Sequence, residues 1–265
     1  MKILSNLFSI GSVEENNHHG LEYLNREGLF NETATTYSKD KNAIPPHYSD
    51  LARLHTIIRS RKVFNIMEFG LGWSTIVMAD ALKKNHEDWK ALTDRPSIKG
   101  EVNFQLVCVD TSEYWINHTK EKIHPGITEY IKFHHSDVII GTFQDKICHY
   151  YENLPDITPD FIYLDGPDPA AVKGSVSGIT FSQNNRIVIS ADLLKIEPIL
   201  LPRTLVLVDG RMANVRFLTQ HLYRNWQINS NLNGDITTFE LDEPPLGKKQ
   251  AAILEYQLGQ NKPHN

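Results

Sequence analysis

Five acids in this chain each lie at or near the end of a short apolar, β-branched run: Glu68 is the last but one residue of VFNIMEF, Asp110 closes FQLVCVD, Asp137 follows EYIKFHHS, Asp165 closes DFIYLD and Asp209 closes TLVLVD. Carboxylates delivered repeatedly to strand ends can accept hydrogen bonds from a vicinal diol, take a proton from a hydroxyl, or hold a hard cation. The first acid also opens a glycine turn, Glu68-Phe69-Gly70-Leu71-Gly72-Trp73-Ser74-Thr75, which runs from a strand straight into a helix. Gly70 and Gly72 permit a tight bend and leave room for a ligand against the main chain, while free N–H groups at the helix start favour polar or anionic atoms. In an open parallel sheet, ligands lie at the carboxyl ends of strands near the switch in strand order. The turn is the natural place for one here.

The elements that position these residues alternate from residue 63 onward. VFNIMEF precedes the helical STIVMADALKK, FQLVCVD precedes SEYWINHTKEKI, and EYIKFHHSD precedes VIIGTFQDKICHYYENL, read as a third helix. DFIYLD follows, then a loop and a helix through ADLLKIEPIL, then TLVLVDG and MANVRFLTQHLYR. Five strand–helix units in series predict an α/β, doubly wound, mostly parallel sheet. WQINSNL, ITTFELDE and AAILEYQL follow without an evident helix and are expected to close it with antiparallel strands. Residues 1–60 form an N-terminal helical appendage or cap. Within it Ser49 or Asp50 is an N-cap candidate for LARLHTIIRSR, whose Leu51, Leu54, Ile57 and Ile58 fall at helical spacing. Residues 83–103 are polar and read as a solvated insertion.

Composition narrows the classes. The chain has 265 residues, 40% of them hydrophobic and 22% charged, which suits a folded globular protein. Its net charge of -5 supplies no global positive field for nucleic acid or anionic lipid, so neither partner is expected. No apolar run reaches the roughly 18 residues of a membrane span, and the N-terminal run is too weak for a signal peptide. Cys108 and Cys148 lie in apolar segments as reduced thiols, which places the protein in the cytoplasm. The 12 histidines include no HExxH pattern, and His134-His135 point to opposite faces of a strand.

On Glu68, Gly70 and Gly72 the chain resembles the class I S-adenosylmethionine-dependent methyltransferases, with a Rossmann-like fold, over about residues 63–258. The resemblance makes residues 61–265 the catalytic domain. It implies that Asp110 bonds the ribose hydroxyls, that Ser136 and Asp137 lie near the adenine, and that Glu68 lies near the methionine end; Ser74 completes the cofactor set. Asp165 and Asp209 are expected above one rim beside the methyl group. Two close carboxylates repel unless one is protonated or a cation sits between them, and magnesium is the economical cation. This layout is similar to the metal-dependent O-methyltransferases, which implies Asp165 and Asp209 as metal ligands and Asp165, Asp168 and Asp209 as the acceptor-side catalytic group. That family's Asp-Asn pair is here Asp209-Gly210, its lysine is Asp168, and Asn214 lies one helical turn on.

The implied reaction is O-methylation of a small-molecule or carbohydrate intermediate. Lys173, Arg186 and Arg211 are candidates to contact an anionic acceptor such as a sugar phosphate. The appendage covers the site or makes a homo-oligomer. Two alternatives stay open: a NAD-dependent oxidoreductase, disfavoured by Thr75 at the third glycine position, and a non-catalytic cofactor-binding regulator. Plainer roles also stand beside the functional ones: Asp110 and Asp137 as helix caps, Asp168 as a turn former, and Tyr163, Phe217 and Trp226 as core.

Overall fold

The computed structural model describes residues 13–30, 46–96, 102–181, 189–231 and 235–259. Its strands are β1 (Asn65–Phe69), β2 (Gln105–Asp110), β3 (Ile131–His135), β4 (Val138–Phe143), β5 (Lys146–Tyr151), β6 (Phe161–Leu164), β7 (Leu205–Asp209), β8 (Trp226–Asn231) and β9 (Ile236–Leu241). Seven form one sheet in the order β3-β2-β1-β6-β7-β9-β8. The first five are parallel, whereas β9 runs antiparallel to β7 and β8 antiparallel to β9. The chain winds outward from β1 in both directions, so the switch point falls between β1 and β6. This is the doubly wound, mostly parallel α/β sheet that the alternation predicts.

The helices are α1 (Val13–Arg26), α2 (Tyr48–Ser60), α3 (Trp73–Ala91), α4 (Glu113–Lys120), α5 (Asp192–Ile196), α6 (Met212–His221) and α7 (Lys248–Leu258). Alternate strand residues serve two cores, as a period of two requires. Ile66, Leu106, Phe161 and Leu205 pack with Leu24, Leu54, Ile57, Val77 and Leu82 of α1, α2 and α3. Met67, Phe69, Val109, Ile162 and Val206 pack on the other face with Leu193, Val215 and Leu218 of α5 and α6.

Four expectations need correction. VIIGTFQDKICHYYENL is not a helix: it makes the β4–β5 hairpin, which packs Val138, Ile140 and Tyr151 on the α5/α6 face. Its turn residues Gln144 and Asp145 have φ 48° and 62°, the pair of positive values that suits a two-residue hairpin. A Cβ on Gly141 would stand 2.5 Å from the Tyr150 Oη, so a cross-strand ring fills the space a side chain would need. AAILEYQL is not a strand: it lies in α7, which ends at the left-handed Gly259. Its Tyr256 ring stacks on Phe64 at 6.0 Å, and Gln257 donates to Asp160 at 2.6 Å. Part of the polar insertion is helical, since α3 continues to Ala91, burying Trp89 and Asn85; Asn85 donates to the Ile58 and Val63 carbonyls at 3.1 and 3.0 Å. The N-cap of α2 is His47, not Ser49 or Asp50.

A buried polar chain ties the first two helices to the third. His55 lies between the Tyr23 hydroxyl at 2.8 Å and Asp80 at 3.0 Å, and Lys84 bridges Asp80 and Glu27, each at 2.8 Å. Burial alone would raise the Asp80 pKa, but hydrogen bonds from His55 and Lys84 outweigh it and hold the carboxyl below its usual range. His55→Leu leaves Tyr23 and Asp80 without these partners, and the expected cost is about 2 kcal/mol. Urea unfolding measures it; an unchanged midpoint would show that the network contributes nothing.

Candidate functional site

The two strand-end turns at the switch point touch backbone to backbone. Gly70 has φ 97° and donates its N–H to the Val109 carbonyl at 3.0 Å. A Cβ on Gly70 would stand 3.1 Å from the Gly166 nitrogen, and one on Gly166 would stand 2.6 Å from the Gly70 nitrogen. Gly72 differs: a Cβ there would meet no heavy atom of the described residues within 4 Å. Gly70 therefore serves the bend, while Gly72 borders open space at the start of α3. Phe30, following α1, stacks on Trp73 at 5.1 Å and brings the N-terminal region beside the turn.

Glu68 lies beneath the turn rather than above it. It is 1% exposed, accepting from Ser74 Oγ at 2.5 Å and, through its other oxygen, from Thr75 Oγ1 at 2.7 Å and Cys108 Sγ at 3.1 Å. Thr75 Oγ1 also accepts the Gly72 N–H at 3.1 Å, so one hydroxyl links the turn to the acid. Burial pushes the Glu68 pKa up to about 7, with the three donors opposing it. Glu68 and Ser74 brace the turn from inside.

At the end of β2, Asp110 Oδ1 accepts the Ser112 N–H at 2.7 Å, and Ser112 Oγ caps α4 through the Trp115 N–H at 3.2 Å. Burial raises the Asp110 pKa against that amide. Ser136 is buried, donates its N–H to the Asp110 carbonyl at 3.1 Å and accepts the Asn153 N–H at 3.0 Å. Asp137 pairs with Lys173 at 2.7 Å, and that hydrogen bond holds its carboxyl below the usual range. Lys173 is thus engaged by Asp137. Arg186 lies outside the described residues.

Asp165 and Asp209 are brought together on adjacent strands. Although Asp165 reaches solvent, burial by the surrounding rim and the charge of Asp209 push its pKa up to about 6, with Arg211 opposing. Asp209 accepts the buried Tyr163 hydroxyl at 2.7 Å; burial raises its pKa, and the Tyr163 hydrogen bond pulls it back. Tyr163 is core by area, yet its hydroxyl reaches the site; strand alternation alone carries no sign of that bond. Arg211 donates to the main-chain carbonyls of Asp165 and Pro167. From α2, Asp50 and Arg53, bonded at 2.6 Å, add opposite charges felt by Asp209.

Asp168, expected on the acceptor side, and Asn214, one helical turn beyond Asp209, each have partners of their own. Asp168 is exposed and caps a short turn, accepting the Ala170 N–H at 2.9 Å. Asn214 is buried, and its side-chain oxygen accepts the Ser190 N–H. Among the described residues no three His, Cys, Asp or Glu side chains gather as a metal centre. Asp209 is bonded to Tyr163 and the Arg211 charge acts on Asp165, so these two carboxylates would hold a magnesium ion only with water or acceptor oxygens completing its shell.

No family model matches the chain, and no curated protein sequence matches it. Solved structures do resemble it in fold. They include the O-methyltransferase of Bacillus cereus in complex with SAH, at 13% identity and TM-score 0.46, over 88% of this chain and 100% of that one. TomG of Streptomyces achromogenes, an O-methyltransferase in complex with SAM, aligns at 14% identity and TM-score 0.45, over 89% and 100%. The SAH-bound Podospora anserina methyltransferase PaMTH1 aligns at 14% identity and TM-score 0.47, over 87% and 92%. Among the described residues no helix is long and apolar enough to cross a membrane.

Proposed function

We propose that this chain is a class I S-adenosylmethionine-dependent methyltransferase that methylates a hydroxyl of a small molecule or carbohydrate. The observation that supports it most is the open space at Gly72, on the switch point of the sheet, with Asp110 on one side and the Asp165–Asp209 pair on the other. In this reading residues 61–265 carry catalysis, and residues 1–60 cap the site through Phe30, Asp50 and Arg53.

Gly70 and Gly72 take the cofactor backbone-close, with Glu68 and Ser74 holding the turn. Asp110, with one oxygen on the Ser112 amide, offers its other to the ribose hydroxyls, and Ser136 and Asp137 border the base. The cofactor supplies a methyl group already activated by its sulfonium. What remains for the protein is alignment and removal of the acceptor proton. The alcohol O–H bond gives its proton to Asp165 or Asp209, whose raised pKa values make them better bases than an ordinary carboxylate. Asp168 contributes by shaping the loop. Arg211 and Arg53 offset the paired negative charges.

Calorimetry tests the reading. The chain is expected to bind SAH, and Asp110→Ala is expected to weaken binding about tenfold, or about 1.4 kcal/mol. A wild-type chain silent to SAH but responsive to NAD would overturn it in favour of the oxidoreductase. Tritiated methyl transfer into a metabolite extract separates an enzyme from a cofactor-binding regulator, since a regulator leaves every component unlabelled.

A further inference from the structure

The proposed mechanism leaves two buried polar groups unused. On β5, His149 and Tyr151 are two residues apart and share one side of the strand, at 1% and 0% exposure. Neither the Nδ1 of His149 nor the Oη of Tyr151 has a hydrogen-bond partner among the described residues. Buried polar atoms without partners cost free energy, and protein interiors rarely keep one that a ligand or water does not complete. Two on one strand face, unpartnered among the described residues, are open to completion by a ligand or a water.

Their surroundings define what would complete them. Phe69, the last residue of β1, lies 5.7 Å from the Tyr151 ring, and Phe181 stands edge-on to His149 at 6.0 Å. The charges that reach Tyr151 are Asp110, Asp192 and Arg211, and the one that reaches His149 is Arg211. Asp192 is engaged by Ser190 at 2.8 Å and the Tyr151 N–H at 2.9 Å, and Arg211 by the Asp165 and Pro167 carbonyls. The pair adjoins the cofactor end of the rim, because the residues that follow Tyr151 bond there: Glu152 donates its N–H to the Asp137 carbonyl at 2.9 Å and Asn153 donates its N–H to Ser136 Oγ at 3.0 Å. Burial and the Arg211 charge push the His149 pKa down to about 3, so the imidazole is neutral near pH 7. A neutral imidazole and a phenol between two aromatic rings suit an uncharged, partly apolar ligand.

Among the described residues few buried side chains of the 166–181 segment are available to cover them. Between residues 166 and 181 only Gly166, Pro167, Val172 and Phe181 are buried, and Lys173 pairs with β4 through its main chain. Displacing the Phe181 ring, which stands against His149, is the route by which a ligand reaches the two atoms.

We infer that His149 and Tyr151 recognise the acceptor, pairing with the polar groups of an uncharged, hydroxyl-bearing small molecule seated against Phe69 and Phe181. The inference rests on the methyltransferase reading and deepens it by naming the acceptor side of the same site. It also excludes the anionic acceptor that the basic loop residues suggest from sequence.

The test uses the full chain saturated with SAH and three probes that share one ring and differ in charge: cyclohexanol, cyclohexanecarboxylate and cyclohexylammonium. Cyclohexanol alone is expected to raise the thermal midpoint of the wild type. Tyr151→Phe and His149→Leu are expected to lose that response while binding SAH within twofold of wild type. Tyr151→Phe without ligand is expected to melt no lower than wild type, because it removes an unpaired buried hydroxyl. A cyclohexanol response that persists in both variants, or is absent from the SAH-saturated wild type, would overturn the inference. So would a Tyr151→Phe midpoint several degrees below wild type, which would show the hydroxyl already paired, by an internal water only. A chain that fails to bind SAH removes the methyltransferase reading first, and the inference with it.

Discussion

Gly166→Ala is expected to destabilise the protein by about 3 kcal/mol, roughly a 6–12 °C fall in thermal midpoint for a domain of this size. The added Cβ would lie 2.6 Å from the Gly70 nitrogen, 2.8 Å from its Cα and 2.9 Å from the Phe69 carbonyl carbon. All three are backbone atoms, so no side-chain rotation relieves the clash and the two turns must separate. That separation also disturbs the bend at Gly70, whose φ of 97° admits few other residues. Gly72→Ala is the matched control. Its φ of 162° is extended backbone that any residue adopts, and its Cβ has no neighbour within 4 Å among the described residues. This variant is expected to unfold with wild type and yet bind SAH at least tenfold more weakly, because the methyl group enters the space assigned to the cofactor. Urea unfolding and calorimetry on both variants separate scaffold from ligand contact. Equal stability losses in both would show that Gly72 is structural and leave the crevice without its main support.

Much of this arrangement was legible because its signals are local. A buried parallel strand reads as a continuous apolar run, and an acid closing such a run must emerge at the carboxyl edge; Asp110 and Asp209 end their strands, Asp165 directly follows β6, and Glu68 is one residue short of the end of β1. What failed depends on partners distant in sequence. VIIGTFQDKICHYYENL carries apolar residues at spacings compatible with a helix, and only its turn at Gln144-Asp145 and the closeness of Gly141 to Tyr150 separate the readings. Read as a strand, ICHYY would have put His149 and Tyr151 on one face, which is the signal that could have found them. AAILEYQL holds good helix formers, but its place beside two real strands favoured a third. The destination of a carboxylate was legible, and its hydrogen bonds were not. Glu68 turns inward because Ser74, Thr75 and Cys108 offer three donors there, and Asp168 turns to the Ala170 amide instead of the rim.

Glu68→Gln is expected to flatten the dependence of stability on pH, and the sign follows from where the proton binds more tightly. Burial raises the Glu68 pKa from 4.5 to about 7 in the folded chain. Between those values the folded protein holds a proton that the unfolded chain has released, so stability falls as pH rises. The contribution is complete below pH 4.5 and lost above pH 7, and a shift of this size corresponds to about 3 kcal/mol across the window. Asp192, raised to about 6 by burial, acts in the same direction, whereas His149, lowered to about 3 by burial and the Arg211 charge, acts in the opposite one. Those groups are unchanged in the variant, so the difference between the two stability curves isolates Glu68. Denaturant unfolding from pH 5 to pH 8 is expected to show Glu68→Gln gaining on wild type as pH rises; parallel curves would mean that the acid titrates normally and is not sealed beneath the turn. The same ionisation acts on the ligand site, because Ser74 and Thr75, the donors to Glu68, form the first turn of α3. A charged Glu68 draws both hydroxyls inward, so the variant's loss of that pull is expected to loosen the bend and weaken SAH binding more at pH 8 than at pH 5.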